Sequence, residues 1–173
     1  MNMFLIIFDY KIPTNGNCWN IIQTKEDEIC YLEYLGSNYT KTICFFNLLE
    51  RKLISIINNI NYGGLNNLTM MSKDLLVIGG KNELIIINVN NHNIIRNIKV
   101  PNSGYIYAIC LLNENILLTG DSNKRIIQWK INGDNLILTS KKELSHEIWI
   151  YTLIKIGNGL ILSGDGLGVI KIW

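Results

Sequence analysis

Proline is nearly absent from this 173-residue chain, occurring only at Pro13 and Pro101, and charge is sparse, with 17% Asp, Glu, Lys and Arg. Sparse charge beside 48% hydrophobic residues excludes a solvated disordered chain, which lacks the apolar surface needed to offset ordering entropy. Lys and Arg come at most in pairs (Arg51-Lys52, Lys124-Arg125, Lys141-Lys142) and the net charge is only +2. The basic stripe that duplex nucleic acid requires is therefore missing, and the pairs read as solvated strand edges and turns. Long apolar runs are missing too. The one near the N-terminus, Phe4 to Phe8, is cut by Asp9 before it could form a signal-peptide core or a membrane span. The expectation is an intracellular protein, cytoplasmic or nuclear. Four cysteines, Cys18, Cys30, Cys44 and Cys110, share no CxxC spacing and sit mostly in apolar runs, as buried free thiols of a reducing compartment do. Asn and Ile are abundant, and much of the Asn reads as compositional bias filling loops.

What is present is a repeat. Leu117-Leu118-Thr119-Gly120-Asp121 followed by Arg125-Ile126-Ile127-Gln128-Trp129 matches Ile161-Leu162-Ser163-Gly164-Asp165 followed by Val169-Ile170-Lys171-Ile172-Trp173, with nine residues from Gly to Trp in both. The frame recurs from Gly79 to Asn88, and more weakly from Gly36 to Asn47 with two extra residues in the turn. Terminal positions 47, 88, 129 and 173 are separated by 41, 41 and 44 residues. An apolar strand precedes each Gly and another short strand follows each frame. All these pieces are four to eight residues long, rich in Ile, Val, Leu and aromatics, and bounded by Gly, Asn, Asp and Ser, which is strand punctuation. Each unit thus holds four strands. A lone four-stranded sheet apolar on both faces cannot stand in water, and stacking such sheets about an axis covers the faces. A period of about 40 to 45 residues is that of a propeller blade. The expected fold is all-β: about four antiparallel four-stranded blades, as a β-propeller or part of one. The blades are expected at 17–60, 64–101, 104–142 and 146–173, the last without a fourth strand, with 1–10 as a fourth strand of a closing or preceding blade.

These residues resemble the WD40-repeat family. Thr119-Gly120 and Ser163-Gly164 match its Ser-Gly positions, Trp129 and Trp173 match its Trp closing the third strand, and His146 with Ile150, Thr152 and Leu153 matches its His-x3-Val-x-Ser-Leu stretch. The resemblance covers most of the chain, with two departures: Lys130 follows Trp129 where the family has Asp, and the family's turn Asp falls on Leu167. It implies structural roles for Gly79, Gly120, Trp129, His146, Ser163, Gly164 and Trp173. His146, Ser163 and Trp173 would be three members of a hydrogen-bond tetrad, the fourth falling on Leu167. WD40 rings usually have seven blades, so two arrangements stay open: a closed four-blade ring completed by Met3 to Tyr10, and a piece of a larger propeller, the preferred reading.

Chemistry is scarce. His92 and His146 have no second metal ligand at useful spacing, there is no HExxH or Cys/His cluster, and no metal or cofactor is implied. His92 reads as a solvent-facing turn residue and His146 as a structural cap. Gly164-Asp165-Gly166-Leu167-Gly168 lies between two strands and reads as a hairpin turn, not a phosphate loop. No acid, base and nucleophile set points to an enzyme. Resemblance to WD40 proteins makes the channel mouth the docking surface. The positions there are Trp19, Asn66, Tyr107 and Tyr151, with Tyr105 and Trp149 two residues earlier in the third and fourth repeats. Aromatic side chains bury large area at low entropy cost, as binding hot spots require. The expected function is a non-catalytic scaffold for protein or peptide partners. The alternative is a reader of an anionic ligand, a phosphoinositide headgroup or nucleic acid, which would need Lys and Arg from separate repeats to converge on one rim.

Overall fold

The computed structural model describes residues 11, 12, 14, 16–35, 40–60, 67–143, 145–157 and 159–173; the strand expected at 1–10, Gly36 and Asn66 lie outside them. The described residues form antiparallel sheets and no helix. The first sheet is β1 (Asn17–Lys25), β2 (Glu28–Leu35), β3 (Thr40–Asn47) and β4 (Lys52–Ile60). The second is β5 (Asn67–Met70), β6 (Leu75–Gly79), β7 (Glu83–Asn88) and β8 (Asn93–Lys99). The third is β9 (Ile106–Asn113), β10 (Ile116–Asp121), β11 (Ile126–Asn132) and β12 (Asn135–Lys142). The fourth has three described strands, β13 (Ile150–Ile156), β14 (Leu160–Asp165) and β15 (Ile170–Ile172). Every sheet pairs its strands in chain order. The first strands β1, β5, β9 and β13 touch one another in series, whereas contact between fourth strands is sparse. The sheets therefore fan out about an axis lined by their first strands, as four propeller blades.

Most of the described core lies between blades, with a further buried cluster of Ile29, Tyr31, Cys44 and Phe46 on the other face of the first sheet. Cys30, Leu32, Ile43 and Phe45 of the first sheet meet Leu68, Leu76, Ile78, Ile85 and Ile87 of the second. The opposite face of the second sheet, with Val77, Leu84 and Ile86, meets Ile106, Ile109, Leu117, Ile127 and Trp129 of the third. Ala108, Cys110 and Leu118 of the third then meet Ile150, Leu153 and Ile161 of the fourth. Successive side chains on a strand point to opposite faces, so β7 sends Ile85 and Ile87 one way and Leu84 and Ile86 the other. This explains its unbroken apolar run: both faces are covered. Burial of each such side chain contributes roughly 1.5–3 kcal/mol.

Two glycines let the blades approach. A Cβ on Gly79 would lie 2.8 Å from the carbonyl oxygen of Ile106, and one on Gly120 would lie 2.7 Å from Cγ2 of Ile150. Each glycine thus sits at or one residue before the end of a second strand, where the next blade's first strand presses against it. Gly164 differs, since a Cβ there would meet Thr152 of its own blade.

Several expectations are corrected. His92 is not solvent-facing: its ring stacks on Phe45 at 4.1 Å and its Nε2 lies 3.1 Å from Glu28 Oε2, so this turn of the second blade is pinned to the first. Cys18 is exposed, because it lies on the partly open first strand, whereas Cys30, Cys44 and Cys110 are buried and all four are free thiols. The asparagines are more than filler. Asn88 Oδ1 accepts from the Asn90 amide at 2.8 Å, Asn113 Oδ1 from the Asn115 amide at 2.9 Å and Asn47 Oδ1 from the Glu50 amide at 2.7 Å, each bracing a turn through its own side chain.

Candidate functional site

Three of the four first strands, β1, β9 and β13, are interrupted near the channel mouth. On β9, Ala108 pairs with Gly120 and Ile106 with Asp121, so Tyr107 has no partner of its own; on β13, Ile150 pairs with Asp165 and Thr152 with Gly164, skipping Tyr151. On β1 the register shifts between Cys18 and Ile21, across Trp19 and Asn20. A bulge of this kind re-aims a side chain that strict alternation would point elsewhere. Here it lets Ile106 and Ile150 insert against Gly79 and Gly120 while the adjacent Tyr107 and Tyr151 turn to the channel.

The result is a pocket of about 480 Å³ lined by Trp19, Asn20, Asn67, Tyr107 and Tyr151, with a contribution from every blade. Trp19 is 57% exposed and Tyr151 47%. Behind the rim the rings pack on one another. Tyr107 lies 5.7 Å from Trp149 and 5.0 Å from Tyr151, Trp149 meets Tyr151 edge-on at 6.3 Å, and Tyr105 continues the series 5.9 Å from Tyr107. Lys81 Nζ sits 5.6 Å over the Tyr105 ring. Amides form a polar belt: Asn20 Nδ2 donates to Asn67 Oδ1 at 3.4 Å, and Asn67 Nδ2 donates to the Tyr107 carbonyl at 3.1 Å. Burial, reinforced by the neighbouring phenols of Tyr151, Tyr105 and Tyr34, pushes the Tyr107 hydroxyl above its usual value, so it stays a neutral donor.

The structure thus brings Trp19, Tyr107 and Tyr151 to one pocket, sets Tyr105 and Trp149 beside it, and leaves Asn66 outside the described residues. Sequence reasoning missed Asn20, Asn67 and Tyr34, whose ring lies 6.1 Å from Trp19. Only position could have flagged them, as neighbours of the strand starts.

No protein-family model matches the sequence, and no curated protein matches it. Among solved structures the chain is similar to the crystal structure of the WD40 β-propeller domain of Doa1, with a TM-score of 0.69 at 16% identity, over 91% of this chain and 51% of that one. The fold is that of a WD40 β-propeller. The chain spans about half the length of the propeller it matches.

The WD40 tetrad expected to lack its Asp is complete, because Asp165, two residues before Leu167, supplies it. His146 Nδ1 lies 2.9 Å from Asp165 Oδ2, His146 Nε2 lies 2.5 Å from Ser163 Oγ, and Trp173 Nε1 donates to Ser163 Oγ at 2.7 Å. The order Asp, His, Ser is also that of a hydrolytic relay. Ser163 is wholly buried, however, and its oxygen already accepts the Trp173 N–H, so the relay is closed to a substrate. In the third blade Trp129 Nε1 donates to Thr119 Oγ1 at 3.0 Å, while Asp121 pairs with Arg125. No group of three or more His, Cys, Asp or Glu among the described residues could hold a metal ion, and no described helix is long and apolar enough to cross a membrane.

Proposed function

We propose that this WD40-like chain is a non-catalytic scaffold of the cytoplasm or nucleus that docks a peptide or protein partner on its channel face. WD40 propellers commonly mediate protein–protein interaction. The observation that carries the reading for this chain is the bulged first strands: Trp19, Tyr107 and Tyr151, from three blades, converge on one pocket with half-exposed aromatic faces. Of the three, Trp19 and Tyr151 are about half exposed and Tyr107 is partly buried behind them; aromatic rings already packed in place lose little entropy on binding.

The anionic-ligand reading has less support. Lys99 pairs with Glu83, Arg125 with Asp121 and Lys141 with Glu143, so these basic side chains are each matched by acid. A displayed random-peptide library tests the docking reading. Peptides selected on the chain are expected to lose binding to Tyr107→Ala and Tyr151→Ala variants whose Tm stays within about 4 °C, the shift of a ~1 kcal/mol change. Retained binding would sink the proposal, and unfolding of both variants would assign the rings to the core instead.

A further inference from the structure

We infer that the channel-mouth pocket takes an arginine side chain of the partner, an inference that rests on the docking reading above and specifies its chemistry. The lining residues Trp19, Asn20, Asn67, Tyr107 and Tyr151 include neither a cation nor a carboxylate. They offer two things: open π faces on Trp19 and Tyr151, and amide groups beside them. Asn20 spends its Nδ2 on Asn67, and its Oδ1 accepts no bond among the described residues. An aromatic face attracts a cation through the negative centre of its quadrupole, and this ring series already does so at its far end, where Lys81 stands over Tyr105.

Three cationic groups compete for such a site. A lysine ammonium is compact and strongly hydrated, and the pocket has no carboxylate to offset its desolvation. A quaternary ammonium needs rings on several sides and has no N–H to give. Here Tyr107, Trp149 and Tyr151 lie 5.0 to 6.3 Å apart, packed against one another on one side of the pocket, so they form one wall and not a box. A guanidinium is planar, weakly hydrated and carries five donors, so it can stack on the Trp19 or Tyr151 face while donating to Asn20 Oδ1.

The test uses the full chain and the peptide Gly-Gly-Arg-Gly-Gly beside versions with citrulline, lysine or trimethyl-lysine in place of arginine. The readout is the heat of titration for every variant, with the indole N–H resonance of Trp19 locating the site on the parent chain. The arginine peptide should shift that resonance saturably and at least about tenfold more tightly than any of the other three, and Trp19→Ala, at an exposed side chain, should abolish binding without lowering Tm. Equal binding of the citrulline peptide, which keeps the shape and loses the charge, would overturn the inference, as would tighter binding of the trimethyl-lysine peptide or no response to arginine. Failure here with library peptides still lost from the Tyr107→Ala and Tyr151→Ala variants removes the arginine assignment alone. Failure of both removes the docking face.

Discussion

The second and fourth blades are built from strands of the same aliphatic kind, yet one is the most buried part of the molecule and the other among the most open. Glu83 to Ile87 of β7 are all buried, with a blade against each face. The fourth blade is covered on the side of Leu153 and Ile161, which pack on the third blade. Cross-strand partners share a face, so Ile154, Leu162 and Ile172 lie together on the other side, with Ile170. Ile170 and Ile172 are 70% and 67% exposed. The glycines differ in the same way, since Gly79 and Gly120 are pressed by a following blade, whereas among the described residues Gly164 meets Thr152 of its own blade. An apolar strand makes a face fit for burial, but what packs against it decides whether it is buried, and exposed aliphatic sheet faces are association hazards.

That contrast breaks most sharply under truncation of one side chain in each blade. Ile86→Ala in the second blade opens a cavity between two packed sheets and should cost about 2–5 kcal/mol, whereas Ile170→Ala should stay within about 0.5 kcal/mol. Urea unfolding midpoints of the two variants check this. Comparable losses would mean that the fourth blade's outer face is covered in solution.

A smaller difference is expected from the two tryptophans that close the third strands. Both indoles donate to a hydroxyl, Trp129 to Thr119 and Trp173 to Ser163, but Trp129 is 3% exposed and Trp173 39%. Replacement by Phe keeps much of the ring and removes the donor. Trp129→Phe should cost about 1–2 kcal/mol and Trp173→Phe about half as much, because the Trp173 indole is already partly in water and the Ser163 hydroxyl retains His146. The same unfolding measurement ranks them; a larger loss at Trp173 would place the burial difference second to the tetrad.

How far the sequence carries differs between fold and site. The nine-residue frame from Gly to Trp repeats because sheet spacing repeats, so blade architecture could be read from it. The family resemblance puts the tetrad's acid at Leu167, whereas the chain uses Asp165, whose carboxylate bends back to His146 while Oδ1 accepts the Leu167 amide. His92 could not be placed from the turn alone, because its partners Glu28 and Phe45 lie far back in the chain. The aromatic positions of the channel mouth were legible as strand starts. What turns them to the channel was not: a bulge is a mismatch between two strands, and alternation along one strand carries no sign of it.

The finest comparison is electrostatic and concerns Asp121 and Asp165, which follow the same glycine in consecutive blades. Burial pushes the Asp121 carboxyl above its usual value and outweighs Arg125 and the Asn123 amide, which pull it down. Burial pushes Asp165 up as well, but the Val169 and Leu167 amides at 3.0 Å and His146 together hold it below the usual value of 3.8. The signs then differ. For Asp165 the unfolded chain binds the proton more readily, so its contribution is present above 3.8 and is lost as pH falls through the lower folded value. For Asp121 the folded chain binds the proton more readily, so its contribution is complete below 3.8 and is lost as pH rises through the raised folded value. Unfolding midpoints measured from about pH 3 to pH 5, across the carboxylate range, should therefore fall less on acidification in Asp165→Asn than in the parent chain, and more in Asp121→Asn. The slope and not the height of each profile is the readout, because Asp121→Asn also strips Arg125 of its partner and lowers stability at every pH. Parallel profiles would show that the two carboxyls, despite their different partners, sit in equivalent electrostatic surroundings.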